Sequence, residues 1–233
     1  DKHVDIVLVG DSMANVLYGY EDTHKIGLEN IIQHASSVKL GVKKSLLVVD
    51  MPKDSYNNVR DAVKNVKHVI KKTSCDAVKL ESNKKNHKII KILTNKKIPV
   101  MGHIGFTPQF KTKFKIEGAS KKESLQLLKE AKDIEKAGAF SIVLECLTPS
   151  TAKLITSKLN IPTIGIGSSS YCDGQILVTD DLLGLSGFYP KFVKKYANLN
   201  RIIEKAVKKY TREVKLNKFP TKKNFLNGTK HRK

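Results

Sequence analysis

Six short apolar runs in the sequence each stop at a residue able to do chemistry. They are DIVLVG at Asp11 and Ser12, SLLVV at Asp50, DAVKL at Glu81 with Lys79 inside it, IPVMG at His103, FSIVL at Glu145, and PTIGIG at Ser168. Asp11 and Asp50 end consecutive runs, and two hard carboxylate donors brought together suit one Mg²⁺, with water and substrate completing its octahedron. Either aspartate alone would serve equally well as a helix cap, so it is the pair that points to a cation. Lys79 and Glu81 are two apart and share one face of a strand, while Val78 and Leu80 turn to the other. Burying such a pair is costly unless the two charges pair with each other or meet a ligand, and both readings stand. Glu145 closes an apolar run, surroundings that raise a carboxyl's proton affinity and suit a general base near neutral pH, or a neighbour of a metal site. His103, in MGHIGFTPQ, lies between glycines that let the backbone pass close to a ligand; a scaffold hydrogen-bonding role fits it equally. GIGSSS resembles a phosphate-cradling turn only loosely and reads as a loop.

These residues converge only if the elements carrying them put every strand end on one rim, as parallel strands alternating with helices do. Helical spacing covers Leu28 to Leu40 with Gly41 as its stop, Val59 to Lys71, Lys88 to Thr94, and Lys121 to Lys136 with a stop at Gly138. Ser120 and Glu123 form a capping-box candidate for the last of these. Further helices are expected over Ala152 to Leu159 and Phe192 to Leu216, and a short seventh strand over Gln175 to Thr179. Near-continuous apolar strands argue for a parallel sheet covered on both faces. Site candidates on six successive strands, with no G-x-G-x-x-G turn after any of them, favour an α/β (βα)₈ TIM barrel over a doubly wound sheet. Seven strands leave one to find, and its simplest place is upstream of Asp1, so that the first strand of the barrel is missing from this chain. Residues 1–214 then form a single catalytic domain. Residues 215–233, with seven Lys or Arg and no acid, form a basic, flexible tail.

The chain has 233 residues, with 43 basic and 22 acidic ones giving a net charge of +21. That balance can signal a nucleic-acid partner. The paired lysines, however, are scattered over predicted helices and loops, and aromatic residues are 6% with no Trp, too few for stacking platforms. A solvated lysine-rich surface that draws in anionic substrates is the expectation. No apolar stretch nears the roughly 18 to 20 residues of a membrane span and no basic-then-apolar leader opens the chain, so a soluble cytoplasmic protein is expected. Cys75, Cys146 and Cys172 are odd in number and lack C-x-x-C spacing, which argues for reduced thiols and against a zinc ribbon.

VLVGDS, VVDMP, AVKLE, MGHIGFTPQ, VLEC, and IPTIGIG followed by DGQILV, in this order over about Asp5 to Lys194, resemble the ketopantoate hydroxymethyltransferase family. The resemblance implies a barrel of the phosphoenolpyruvate/pyruvate superfamily. It implies transfer of a hydroxymethyl group from 5,10-methylenetetrahydrofolate to 3-methyl-2-oxobutanoate, on the route to pantothenate. It places Mg²⁺ on Asp11 and Asp50, with Glu81 reaching the metal directly or through water. Asp11, Ser12, Asp50, Lys79 and His103 would contact the oxo acid, Glu145 would accept the proton, and the chain would form a homo-oligomer, typically a decamer. The sequence departs from the family pattern where a lysine-rich FKTKF replaces a glycine-rich loop after Gln109, and where Lys53 and Asp54 stand at usually apolar positions. Two other functions share these residues. A lyase or mutase of the same superfamily would break a carbon bond without a one-carbon donor, and a basic binding protein on a relic barrel would bind nucleic acid with a steep salt dependence.

Overall fold

The computed structural model describes residues 1–82, 86–111, 113–187 and 189–226. Two compact units divide the chain, Asp1–Leu177 and Val178–Lys233. The first holds seven strands: β1 (Ile6–Val9), β2 (Leu46–Asp50), β3 (Ala77–Glu81), β4 (Val100–Gly105), β5 (Ser141–Glu145), β6 (Thr163–Ile166) and β7 (Gly174–Gln175). All neighbours pair in parallel and in chain order, the arrangement of a barrel wall. Helices α1 (Met13–Val16), α2 (Leu28–Gly41), α3 (Val59–Thr73), α4 (His87–Asn95), α5 (Lys121–Lys136) and α6 (Pro149–Thr156) fill the connections. β1 and β7 each have one strand neighbour among the described residues, so the sheet has two edges.

Alternation along the strands builds two layers. Leu47, Val49, Val78, Leu80, Val100, Ile104, Ile142 and Leu144 face the helices and share a core with Ile31, Ala35, Val66, Val69, Ile90, Leu93, Ala131, Ile134 and Ile155. On the other face Val48, Ala77, Met101 and Val143 form a separate apolar floor, with Ile6, Leu8, Ile164 and Ile166 against it. The residues that continue this inner face toward the strand ends are Asp50, Lys79, Glu81, His103 and Glu145. Strands β2 to β5 thus begin as core and carry chemistry toward their ends.

Helix boundaries follow local chemistry. Asn58 caps α3 by accepting from the Asp61 N–H at 2.9 Å. Ser120 caps α5 through the Glu123 N–H at 3.2 Å, but the Glu123 carboxylate accepts from the Ala119 N–H, one residue earlier than a capping box would have it. Gly138, at φ 93°, ends α5 as expected. Gly41 instead stays helical, and the chain leaves α2 through an extended Val42.

The structure corrects three other expectations. The seventh strand is only Gly174–Gln175, because Thr179 already opens α7 (Thr179–Leu183). The last helix, α8, spans Leu199–Lys215 and starts seven residues later than its apolar pattern suggests, where the Asn198 side chain accepts from the Arg201 N–H. α1 and α7 were not expected at all, since helices of four and five residues leave no readable period. Both α7 and α8 belong to the second unit. α8 carries an exposed apolar stripe of Ile202, Ile203, Val207, Tyr210 and Val214. Of the basic tail, residues 227–233 lie outside the described residues. No described helix is long and apolar enough to cross a membrane.

Gly105 closes β4 at φ 98°, and a Cβ there would lie 2.1 Å from the Glu145 carbonyl oxygen. Gly105→Ala is therefore expected to lower stability by about 4 kcal/mol or more, or to prevent folding. Gly41→Ala, in open space within a helix, should be neutral or gain about 0.5–1 kcal/mol. Urea denaturation of the two variants checks the contrast.

Candidate active site

Lys79 is the centre of the rim. It sits inward on β3 in register with Asp50 on β2, and its ammonium lies 2.9 Å from Asp50 Oδ2 with both side chains almost wholly buried. The same ammonium reaches His103 Nδ1 at 3.3 Å, so that nitrogen is an acceptor and the ring proton lies on Nε2. Burial alone would lower the proton affinity of Lys79, but the facing carboxylates of Asp50, Glu81 and Asp11 outweigh it and hold the amine above its ordinary value. Burial pushes Asp50 up from 3.8 to about 7, with Lys79 pulling it back and Asp11 adding to the rise. Burial likewise raises Glu81 well above the carboxylate range, against the pull of Lys79. His103 is lowered by burial and by the Lys79 charge, and so is held neutral.

His103 Nε2 lies 3.1 Å from Glu145 Oε2 without the alignment of a hydrogen bond. Glu145 ends β5, and its side chain is 20% exposed, so the apolar enclosure suggested by its run gives way to an open face beside a histidine. The chain turns sharply after it: Cys146 adopts φ 53°. Burial, then the Glu145 charge, push the Cys146 thiol up to about 12, which leaves it protonated and unreactive. Ser12 stands half-buried at the start of α1 with no side-chain cap bond. Ser168 is structural: its hydroxyl donates to the Leu144 carbonyl at 2.6 Å and accepts from the Leu147 N–H at 3.0 Å.

Gln109 is the site residue that residue type alone did not reveal. It is completely buried. Its amide nitrogen donates to Asp11 Oδ2 at 2.9 Å and to the Met51 carbonyl at 3.0 Å, and its backbone N–H donates to Glu81 Oε2 at 3.0 Å. Tyr56 donates its hydroxyl to Gln109 Oε1. Burial, then the Glu81 and Asp50 charges, raise the Tyr56 pKa, which keeps that phenol a donor. The opposite amide orientation would set an oxygen against a carboxylate and a carbonyl, so the contacts fix it. Gln109 thus joins the acids of β1 and β3. Its only signal in the sequence is a place in MGHIGFTPQ.

Among the described residues no three His, Cys, Asp or Glu side chains gather into a ready-made metal cage. Mg²⁺ needs none, being held by one or two carboxylates with water and substrate oxygens. Two buried carboxylate oxygens, Asp50 Oδ1 and Glu81 Oε1, have no hydrogen-bond partner among the described residues. A buried acceptor of this kind costs about 1–3 kcal/mol unless something positive meets it. Hard oxygen donors, unsatisfied and beside Asp11, fit a small divalent cation.

In fold, the chain is similar to 2,3-dimethylmalate lyase, a PEP mutase/isocitrate lyase superfamily member, with a TM-score of 0.54 and 12% identity over 96% of this chain and 77% of that one. It is also similar to a phosphonopyruvate hydrolase solved with oxalate and Mg²⁺, with a TM-score of 0.56 and 11% identity over 93% and 77%. The fold these likenesses show is an α/β barrel. A family model described as ketopantoate hydroxymethyltransferase matches residues 1–222. The 3-methyl-2-oxobutanoate hydroxymethyltransferase of Pelagibacter ubique (strain HTCC1062) is 52% identical over 223 residues, covering 96% of this chain and 87% of that relative. The chain belongs to the ketopantoate hydroxymethyltransferase family.

A carboxyl whose folded pKa of about 7 exceeds its ordinary 3.8 binds its proton more tightly when folded. Its contribution to stability is therefore lost as pH rises from about 4 to about 7. Lys79→Met removes the charge that pulls Asp50 back. We expect it to destabilise the fold by about 3–5 kcal/mol at pH 8 and by clearly less at pH 5.5, where Asp50 takes up a proton in both proteins. Equal losses at the two pH values, in paired urea titrations, would contradict this account of the ion pair.

Proposed function

We propose that this chain transfers a hydroxymethyl group from 5,10-methylenetetrahydrofolate to 3-methyl-2-oxobutanoate, giving 2-dehydropantoate in pantothenate biosynthesis. Family membership supports the reaction. The observation that carries the site assignment is the inner-face row Asp50, Lys79, Glu81 and His103 with its two unpartnered carboxylate oxygens, next to a partly exposed Glu145. Asp11 and Asp50 would hold Mg²⁺, with Glu81 reaching it directly or through water. When bound, Mg²⁺ supplies positive charge at the keto and carboxylate oxygens of the oxo acid, which favours loss of the neighbouring proton.

The chain's own residues do the rest. Lys79, cationic and fixed by Asp50, sets a second positive charge against the substrate oxygens. Ser12, half-exposed beside Asp11, offers the oxo acid a hydroxyl. Glu145 accepts the C3 proton, and the electron pair of that C–H bond passes toward the carbonyl, leaving a carbon nucleophile. That carbon bonds the one-carbon unit of the folate, whose two C–N bonds break in the net reaction; water supplies the hydroxyl group, and the C3 proton and the remaining water proton end on the nitrogens of the released tetrahydrofolate. His103, its Nε2 3.1 Å from Glu145 Oε2, would orient the base once the two groups align around the bound oxo acid. A homo-oligomer, the decamer that the resemblance implies, belongs to the same proposal.

Proton exchange at C3 tests this reading without the folate. With Mg²⁺ and 3-methyl-2-oxobutanoate in deuterated water, NMR should record loss of the C3 proton signal. Glu145→Gln should slow exchange and turnover by about 10² to 10⁴ while leaving Mg²⁺ and oxo-acid binding intact. Near-normal exchange in that variant would remove Glu145 from the base role. Product formed from the oxo acid with no one-carbon donor would favour a lyase.

A further inference from the structure

The loop that delivers Gln109 is itself held from outside the site. His24 lies in the 3₁₀ turn Thr23–Lys25, which the Asp22 carboxylate caps by accepting the His24 N–H at 2.9 Å. The ring stands between two partners. Its Nε2 lies 3.0 Å from the Pro108 carbonyl oxygen, and its Nδ1 lies 3.1 Å from the Lys53 ammonium. A carbonyl only accepts and an ammonium only donates, so Nε2–H donates and Nδ1 accepts. The ring is 21% exposed, which shields both bonds from water in part. The bridge links the loops after β1, β2 and β4, the three strands whose ends or following loops carry Asp11, Asp50 and Gln109. It also gives the Lys53 ammonium a partner.

We infer that His24 is a positioning residue for the reaction proposed above. Through the Pro108 carbonyl it fixes the segment next to Gln109, and Gln109 in turn aims the carboxylates of Asp11 and Glu81. The inference rests on that proposed reaction, because it assigns His24 a role in holding the Mg²⁺ and oxo-acid ligands. Among the described residues, His24 makes no hydrogen bond or ion pair to Asp11, Asp50 or Glu81. The supporting bonds of metal ligands typically govern affinity by about 10- to 100-fold, and a residue one step further out belongs near the lower end.

The test uses the full chain with Mg²⁺ and 3-methyl-2-oxobutanoate as probes. His24→Ala should raise the Mg²⁺ concentration needed for half-maximal oxo-acid-dependent thermal stabilisation, and the KM for the oxo acid, by about tenfold. Its kcat at saturation should stay within about threefold, the split expected when positioning of ligands is lost and chemistry is not. His24→Gln places an amide N–H near the Nε2 position, retains the Pro108 bond and should restore most of the affinity. Where His24→Ala does not fold, Lys53→Met provides the second arm: it keeps the aliphatic stem, removes the donor to Nδ1, and should raise the Mg²⁺ requirement in the same direction. Wild-type-like requirements in His24→Ala, or in Lys53→Met where that arm is used, overturn the inference while leaving the proposed reaction standing. Absence of any Mg²⁺-dependent stabilisation in the wild-type protein overturns both.

Discussion

A buried ammonium among buried carboxylates is the constraint around which the rest of the first unit is organised. Lys79 cannot leave Asp50 without stranding a charge in a dry interior, and removing one partner of such a pair costs several kcal/mol. The helices and the apolar floor therefore keep β2 and β3 in register, with Asp50 opposite Lys79. The carboxylates of Asp50 and Glu81 are left over-supplied with negative charge and under-supplied with donors, a tension that a divalent cation would relieve. The same feature costs the fold stability.

The polar groups near this pair form two linked circuits. One runs from Asp50 through Lys79 to His103, with Glu145 beside it, and it sets the charge and proton position of the rim. The other runs from Tyr56 and Met51 through Gln109 to Asp11 and Glu81, and it controls where the acids point. Both cross between strands that are far apart in sequence, Gln109 and Asp11 being 98 residues apart. That separation is why the site exists only in the folded chain.

Much of this arrangement was legible beforehand. Strand ends at Asp50, Glu81 and Glu145 follow from apolar runs that stop at polar residues, whereas β1 stops two residues before Asp11 and β4 runs two residues past His103; the two-residue spacing of Lys79 and Glu81 assigns them one face. The helices with strong period, such as α3 and α5, fall close to where their apolar positions put them. Gln109 escaped because a glutamine in a loop is usually solvated, and nothing in its type announces complete burial. The late start of α8 escaped for a related reason: its apolar period continues upstream into residues that the chain spends on the loop before Asn198. Gly41 and Gly138 follow equally good helices, yet only Gly138 uses the left-handed conformation that its type permits.

The alternation that separates floor from rim also limits how these strands can change. Because neighbouring side chains point to opposite faces, adding or deleting one residue within β3 would hand Lys79 and Glu81 to the helix layer and turn Val78 and Leu80 into the cavity. Loops that carry none of the bonds of His24 or Gln109 tolerate changes of length. The strands do not, and their residue count is as strict a requirement as the identity of the acids they carry.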